Sequence, residues 1–285
     1  MTTAPLPDDD LDTPDTGGPV YLYAVTRAPA RAPRDETGEP LAGVADAAVR
    51  VVASDRIAAL VSPVDPRHLE MVGQRPQEAE LAWLEHVART HNAVVESAFR
   101  ETTVLPMRIA TVHPAEESVR AFLRESADAI HAELARLDGL VEVGVKAYRT
   151  APAAAAGTDA EPSGNPPVAA PRPDSPGRAY LEARRARRRA RADADRDAAA
   201  LVRSVREAAA PHAVDQRAHR LQTGELAAGP GENIANDAWL VPRAALLELH
   251  AAVTVLADPA AGRHVEVTGP WAPYSFVRPV TADAG

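Results

Sequence analysis

The pattern of apolar and polar positions changes its period several times along the chain, and each change predicts an element. A continuous apolar run at residues 20–25 predicts a first strand, and the runs at 49–53 and 57–61 predict a hairpin. From residue 77 to 100 apolar side chains recur every three or four positions, which predicts a helix. Its expected buried face comprises Leu81, Leu84, Ala88, His91, Val95 and Ala98.

A second helix is predicted after a proline-interrupted extended piece at residues 104–109. Pro114 is expected at its first position, with acidic residues in the first turn and an apolar stripe that continues to Leu137. Gly139 is expected to end this helix, because glycine readily adopts the left-handed conformation found there. Apolar and polar residues then alternate from 141 to 148, which predicts a strand.

The second half of the chain predicts a long helix and three further strands. The helix is expected at about 177–210 and the strands near 213–221, 235–241 and 263–268. Pro242 is expected to open a shorter helix between the last two strands. The final strand leads into residues 268–276, which contain two prolines together with Trp271, Tyr274 and Phe276. We predict that this run is a proline-stiffened strap that covers the core of the C-terminal domain.

The order of these elements predicts the fold class. From residue 141 onward it is β-α-β-β-α-β, the split order of ferredoxin-like folds, and the first half is a similar but embellished series. We therefore predict an α+β protein of two domains, each a small antiparallel sheet covered by helices on one face. The expected boundaries are a disordered acidic tail at 1–18, an N-terminal domain at 19–140 and a C-terminal domain at 141–285. A disordered linker rich in alanine and proline is expected at 150–176.

Composition and motifs narrow the function classes. The absence of cysteine excludes disulfides and thiol catalysis, and no apolar run approaches the roughly 20 residues of a membrane span. The acidic N-terminus matches no targeting signal, so a cytoplasmic protein is expected. No nucleotide-binding glycine motif is present, and no histidine lies in an H-E-x-x-H pattern. We therefore expect no enzyme, no catalytic residue, no cofactor and no metal site. His91, on the apolar stripe of the first helix, is expected to be a buried histidine hydrogen-bonded to the nearby chain.

The strongest charge feature is an arginine run in the long helix, in a chain whose net charge is −9. Alanines together with Leu201 and Val205 form one stripe of that helix, and arginines cover the rest of the cylinder. One interpretation is a solvated face whose positive charge is reduced by nearby acidic residues. The other is a site for an acidic partner, and its candidate partner-binding residues are Arg184, Arg187, Arg188 and Arg191. The narrow alanine stripe favours a helix packed on a sheet or on a second helix over a free basic arm.

Taken in order, several runs of the chain resemble the gas vesicle protein F/L family. They include YLYAV at 21–25, HNAVVE at 91–96, VLPMR at 104–108 and GVKAY at 144–148. They continue with GRAYL at 177–181, NDAWLV at 236–241 and TGPWAPYSF at 268–276. Together these runs extend over nearly the whole folded part of the chain.

The resemblance implies an N-terminal domain with a modified ferredoxin-like fold and a C-terminal α+β domain. It also implies a minor gas vesicle component that binds the small hydrophobic shell protein and prevents its aggregation during nucleation. Other minor vesicle proteins are possible partners, and the expected location is the cytoplasm and the gas vesicle. On this hypothesis the partner surface combines the Arg184–Arg191 helix face with the neighbouring sheet edge.

Two alternatives remain open at the level of the sequence. One is a nucleic-acid-binding regulatory protein that uses the same arginines, although net charge argues against general nucleic-acid affinity and no RNA-binding motif is present. The other is an unrecognised hydrolase or transferase. Neither a membrane nor a nucleic acid is the expected partner.

Overall fold

The computed structural model describes residues 17–35, 37–65, 77–150, 176–222 and 229–280. The predicted acidic tail, except for its last two residues, and nearly all of the predicted linker lie outside these ranges. The chain divides into two compact units, one formed by Met1–Glu142 together with Pro270–Gly285 and the other by Val143–Gly269.

An antiparallel sheet forms the centre of the first unit. Its strands are β1 (Val20–Arg27), β2 (Arg50–Ser54), β3 (Ile57–Pro63), β4 (Val104–Pro106) and β5 (Val112–His113). Their order is β2-β3-β1-β4, and β5 also pairs with β1. The predicted hairpin is confirmed, since β2 pairs with β3 antiparallel from Ser54 opposite Ile57. Asp55 makes the turn with a φ of 53°.

The central strand β1 is buried on both of its faces, since every residue from Val20 to Thr26 is buried. This differs from the prediction of a sheet covered on one face only. The sequence carries the signal for it, because residues 20–25 are a continuous apolar run rather than an alternation. Helices that follow in the chain contact this strand and its neighbours.

The helices of the first unit are α1 (Gln77–Glu101), α2 (Glu116–Glu125) and α3 (Ala127–Arg136). The predicted buried face of α1 is correct in its second half, where His91, Val95 and Ala98 are buried. It is wrong at Leu81 and Leu84, which are 60% and 41% exposed. The periodicity continues to the start of the helix, but only its C-terminal half has a sheet to pack against: α1 contacts β1 and β4.

The second predicted helix is in fact two helices, and it begins after Pro114. Ala115 is the N-cap of α2, and Ser126 ends that helix and begins α3. The Ser126 amide donates to the Phe122 carbonyl, while the Ser126 carbonyl accepts from the Ile130 amide, so one residue satisfies both helix ends. Gly139, with a φ of 69°, follows α3 as predicted.

The second unit contains a four-stranded sheet and two helices. Its elements are β6 (Leu140–Arg149, which begins in the first unit), α4 (Pro176–Ala209), β7 (Asp215–Ala218), β8 (Glu232–Pro242), α5 (Leu246–Thr254) and β9 (Arg263–Trp271). The strand order is β7-β8-β6-β9. Each β-α-β connection therefore encloses a strand of the other connection, which is the split arrangement predicted from the element order. Pro242 ends β8 instead of opening a helix, and a short 3₁₀ turn precedes α5.

The prediction that the C-terminal strap covers the core of the C-terminal domain is wrong. The strap packs on the first unit instead. The amide and hydroxyl of Ser275 donate to the Glu142 carboxylate at 2.7 and 2.6 Å. Arg136 donates to the Phe276 carbonyl at 2.6 Å, and the Phe276 ring is buried. Because β9 runs on to Trp271, past the end of the second unit at Gly269, its last residues carry the chain into the first unit.

Candidate partner-binding site

The arginine run lies on the N-terminal half of α4, and that half is exposed around its whole circumference. Every side chain described from Tyr180 to Asp197 is exposed, including Ala186, Ala190 and Ala194 of the alanine stripe. At about 1.5 Å of rise per residue this exposed stretch is about 27 Å long. The expectation that the alanine stripe packs on a sheet or a second helix is therefore wrong for this half of the helix.

The C-terminal half of α4 anchors the helix. Leu201, Val205 and Ala209 are buried there, and the helix contacts β8 and α5. Large apolar side chains occur on the stripe only from Leu201 onward, whereas alanine buries too little surface to hold the earlier turns. β8 is an inner strand of the sheet, so the anchored half of α4 packs on the sheet away from its edges.

A bidentate ion pair reinforces this anchor. Arg206 donates to both carboxylate oxygens of Asp237 in β8, at 2.8 and 2.9 Å. Asp237 is 1% exposed, and its hydrogen bonds raise the pKa of Arg206 above the usual value. This contact is a positioning feature that the sequence did not reveal, because its two residues lie 31 positions apart.

The four predicted partner-binding arginines share one face of α4. With about 100° between successive residues, Arg184, Arg187, Arg188 and Arg191 project at about 60° to 160° from the direction of Ala190. Arg185 and Arg189 project from the opposite side of the alanine stripe, at about 220° and 260°. All six side chains are exposed.

None of these six arginines forms an ion pair with another residue in the described parts of the chain. Two of the acidic residues that follow them already have partners, since Asp195 accepts from Arg149 and Asp193 pairs with Arg196. Nearby acidic residues therefore neutralise the positive charge of these arginines only in part. What remains is a concentrated positive surface that can attract an anionic group.

A groove in the second unit continues the exposed stripe. It has a volume of about 710 Å³ and lies between α4 and the loop that leads from α5 to β9. Ala194, Ala198 and Leu201 form one wall, and Val255, Leu256 and Ala257 belong to the other. No pattern in the sequence indicates this groove, because its walls lie more than 50 positions apart along the chain.

His91 is buried, as predicted, and the structure places it in an aromatic cluster of the first unit. Its Nδ1 lies 3.0 Å from the Tyr21 hydroxyl, and its ring lies against those of Tyr21, Tyr23 and Tyr274. Burial lowers the pKa of His91 to about 4 and raises that of Tyr21 to about 12. The cluster therefore stays uncharged at neutral pH, as suits a core that holds the strap.

Within the described ranges no three histidine or acidic side chains are grouped so that they could hold a metal ion. Among the helices described, none is both long enough and apolar enough to cross a membrane.

The fold and this surface define an α+β protein with a basic helical arm, which is the exposed stretch of α4 at residues 180–197. The chain belongs to the family described as gas vesicle synthesis protein GvpL/GvpF, whose family model matches residues 19–278. It is similar to gas vesicle protein L of Streptomyces sp. (strain CB03234), with 35% identity over 257 residues that cover 90% of this chain and 91% of that protein.

Two crystal structures share the fold. The gas vesicle protein GvpF of Anabaena sp. PCC7120 superimposes with a TM-score of 0.60 and 18% identity, over 92% of this chain and 96% of that one. GvpF of Microcystis aeruginosa gives a TM-score of 0.56 and 18% identity, over 92% and 99%. The α+β fold class and the family predicted from the sequence are thus confirmed.

Proposed function

We propose that the protein is a gas vesicle assembly factor that binds the small hydrophobic shell protein and prevents its aggregation during vesicle nucleation. Membership of the gas vesicle synthesis family is the observation that carries this proposal. On this proposal the protein acts in the cytoplasm and at the growing vesicle, where other minor vesicle proteins are further candidate partners.

The physical need for such a factor is plain. A subunit that forms a gas-facing wall exposes apolar surface and unpaired strand edges until it is assembled, and both promote aggregation. A partner that covers those surfaces keeps the subunit in solution. The chemistry is binding and not catalysis, in keeping with a family described by vesicle synthesis.

The proposed contact surface on this protein is the face of α4 that carries Arg184, Arg187, Arg188 and Arg191. Their exposure and the lack of ion pairs within the described residues support this choice, because guanidinium groups without partners can bind carboxylates bidentately. The arm is anchored through Arg206 and Asp237, so the surface has a fixed base.

Co-expression with the shell protein tests the proposed function. We expect the soluble fraction of shell protein to rise several-fold when this protein is present, because the complex masks its apolar surface. The control is co-expression with an unrelated acidic protein of similar size. An equal soluble fraction in both cultures would contradict the proposed function.

Nucleic-acid binding is the second candidate, and the same arginines, which form no ion pair with another described residue, favour it. The net charge of −9 opposes it, so we expect no gel shift of duplex DNA or single-stranded RNA at about 150 mM salt. A retained complex whose affinity falls steeply with added salt would support the nucleic-acid candidate instead.

A further inference from the structure

The exposed alanine stripe of α4 and the groove form one continuous surface. Ala186 and Ala190 lie on the same side of the helix as Ala194, which is also a wall residue of the groove. Beyond Ala194 the surface deepens between Leu201 and the loop at Val255–Ala257. Val255 is 77% exposed, so an apolar side chain lies accessible at the rim of the groove.

One side of this surface is basic. Arg187 and Arg191 lie next to the alanine stripe on one flank, at about 60° and 100° from Ala190, and Arg184 lies just beyond them. The opposite flank is mixed, because Glu182 and Asp193 lie between the stripe and the arginines of that side. A partner seated on the stripe therefore meets positive charge chiefly along one edge.

We infer that this surface binds an amphipathic helix of a partner protein, with small apolar residues along its seam and acidic residues along one flank. The inference rests on the proposed function and deepens it: the helix belongs to the vesicle subunit that the protein binds. The seam lies on Ala186, Ala190 and Ala194 and enters the groove, while the acidic flank lies against Arg187 and Arg191.

A helix fits this surface for three physical reasons. Alanine allows two helix axes to approach within the 8–10 Å of close helix packing. The exposed stretch of about 27 Å accommodates about five turns of a partner helix. Charged pairs that flank such a seam set the orientation of the partner, as they do in coiled coils.

A nucleic acid fits the surface less well. The groove is lined by two carboxylates, Asp197 and Asp258, and by two arginines, Arg149 and Arg263, as well as by apolar side chains, so it adds no net positive charge that would attract phosphate. Asp258 is held beside the groove by an ion pair with Arg263 at 2.8 Å. The arginines of the exposed half of α4 could bind a phosphate backbone, but the groove that continues their surface is partly apolar and has no excess of positive charge.

Two synthetic peptides provide the direct test. Both have an alanine–leucine seam, and they differ only in carrying glutamate or lysine at the flanking positions. In fluorescence anisotropy at about 100 mM salt, we expect the full-length protein to bind the glutamate peptide at least tenfold more tightly than the lysine peptide. Equal affinity for the two peptides, or tighter binding of a single-stranded RNA of similar length, would overturn the inference.

Matched single substitutions locate the binding surface. Ala194→Glu places a carboxylate at the mouth of the groove, whereas Ala192→Glu places the same charge on the opposite side of an exposed helix. Both exchange alanine for another good helix former, so neither should unfold the arm. We expect Ala194→Glu to weaken glutamate-peptide binding at least tenfold and Ala192→Glu to change it less than threefold.

A comparison of wild-type protein with the Ala194→Glu variant separates this inference from the proposed function. If wild-type protein keeps the shell protein soluble and Ala194→Glu does so equally well, the helix-binding surface is wrong while the proposed function stands. If wild-type protein does not keep it soluble, the proposed function fails, and peptide binding then shows only an affinity for acidic helices.

Discussion

At the scale of single residues, Asp237 is a charged group in a nearly dry site, and Arg206 neutralises it through two hydrogen bonds. Breaking a buried pair from one side is costly, because the remaining charge stays desolvated. The arginine is partly exposed, which reduces this cost. The pair should therefore stabilise the fold, with a cost of removing the arginine below that for a fully buried pair.

Arg206→Ala tests this role. We expect it to lower the free energy of unfolding by about 2 to 3 kcal/mol, because the Asp237 carboxylate loses its partner. Asp237→Asn in the same background should restore part of that loss, since the buried charge is then gone. Urea denaturation of both variants gives the values, and an Arg206→Ala protein as stable as wild type would contradict the buried-charge explanation.

His91 provides a second residue-scale prediction, on pH. Its pKa is about 4 in the folded protein and about 6.5 in an unfolded chain, so the unfolded state binds the extra proton between these values. The contribution to stability is complete above the unfolded pKa and is lost as pH falls toward the folded pKa.

We therefore expect the unfolding free energy to fall by about 2 kcal/mol between pH 7 and pH 5 through this one group. His91→Gln keeps a polar side chain that does not titrate, and its unfolding free energy should lose that part of the pH slope. Urea denaturation at both pH values measures the difference. Identical slopes in the two proteins would show that His91 already titrates at its ordinary pKa in the fold.

At the scale of elements, α4 is one helix with two different halves. The sequence predicted its extent well, because a long alanine- and arginine-rich segment without glycine or proline in its interior can only be helical. It did not reveal which half is packed. Periodicity shows which residues share a face, but burial depends on whether a second element meets that face, as Leu81 and Leu84 of α1 also show.

Ala190→Pro tests the independence of the arm. Proline in a helix interior removes a hydrogen bond and clashes with the preceding turn, which should disrupt the exposed half locally. We expect a loss of helical circular dichroism with a change in Tm below about 2 °C, because no core contact is broken. Leu201→Ala, in the anchored half, should by contrast cost about 2 to 4 kcal/mol. A large drop in Tm for Ala190→Pro would mean that the arm is packed.

At the scale of the whole molecule, the chain leaves the first unit after Glu142 and returns to it at Pro270. The element order predicted the α+β class and the split sheet, because each rests on local periodicity and turn residues. The destination of the strap could not be predicted in this way. Glu142 accepts a hydrogen bond from the Ser275 amide, and Glu133 accepts one from the Arg278 amide. These partners lie 133 and 145 positions apart in the sequence, and only folding brings them together.

The strap should therefore stabilise the first unit selectively. Phe276→Ala empties a buried site, and we expect it to cost about 3 to 5 kcal/mol, with faster amide exchange in β1 and unchanged exchange in β8. Trp271→Ala removes a partly exposed ring and should cost less than about 1 kcal/mol. Faster exchange in β8 than in β1 would assign the strap to the second unit.

Binding of the shell protein through one face of α4 is the central claim, and a pull-down with two charge-matched double variants tests it most directly. Arg187→Ala with Arg191→Ala, and Arg185→Ala with Arg189→Ala, each remove two charges at the same spacing from the same exposed helix. We predict that the first pair reduces shell protein capture at least fivefold and that the second leaves it within twofold of wild type. Equal loss in both variants would show that the arm contributes only nonspecific positive charge. Full capture by both variants would show that the arm is not part of the binding site.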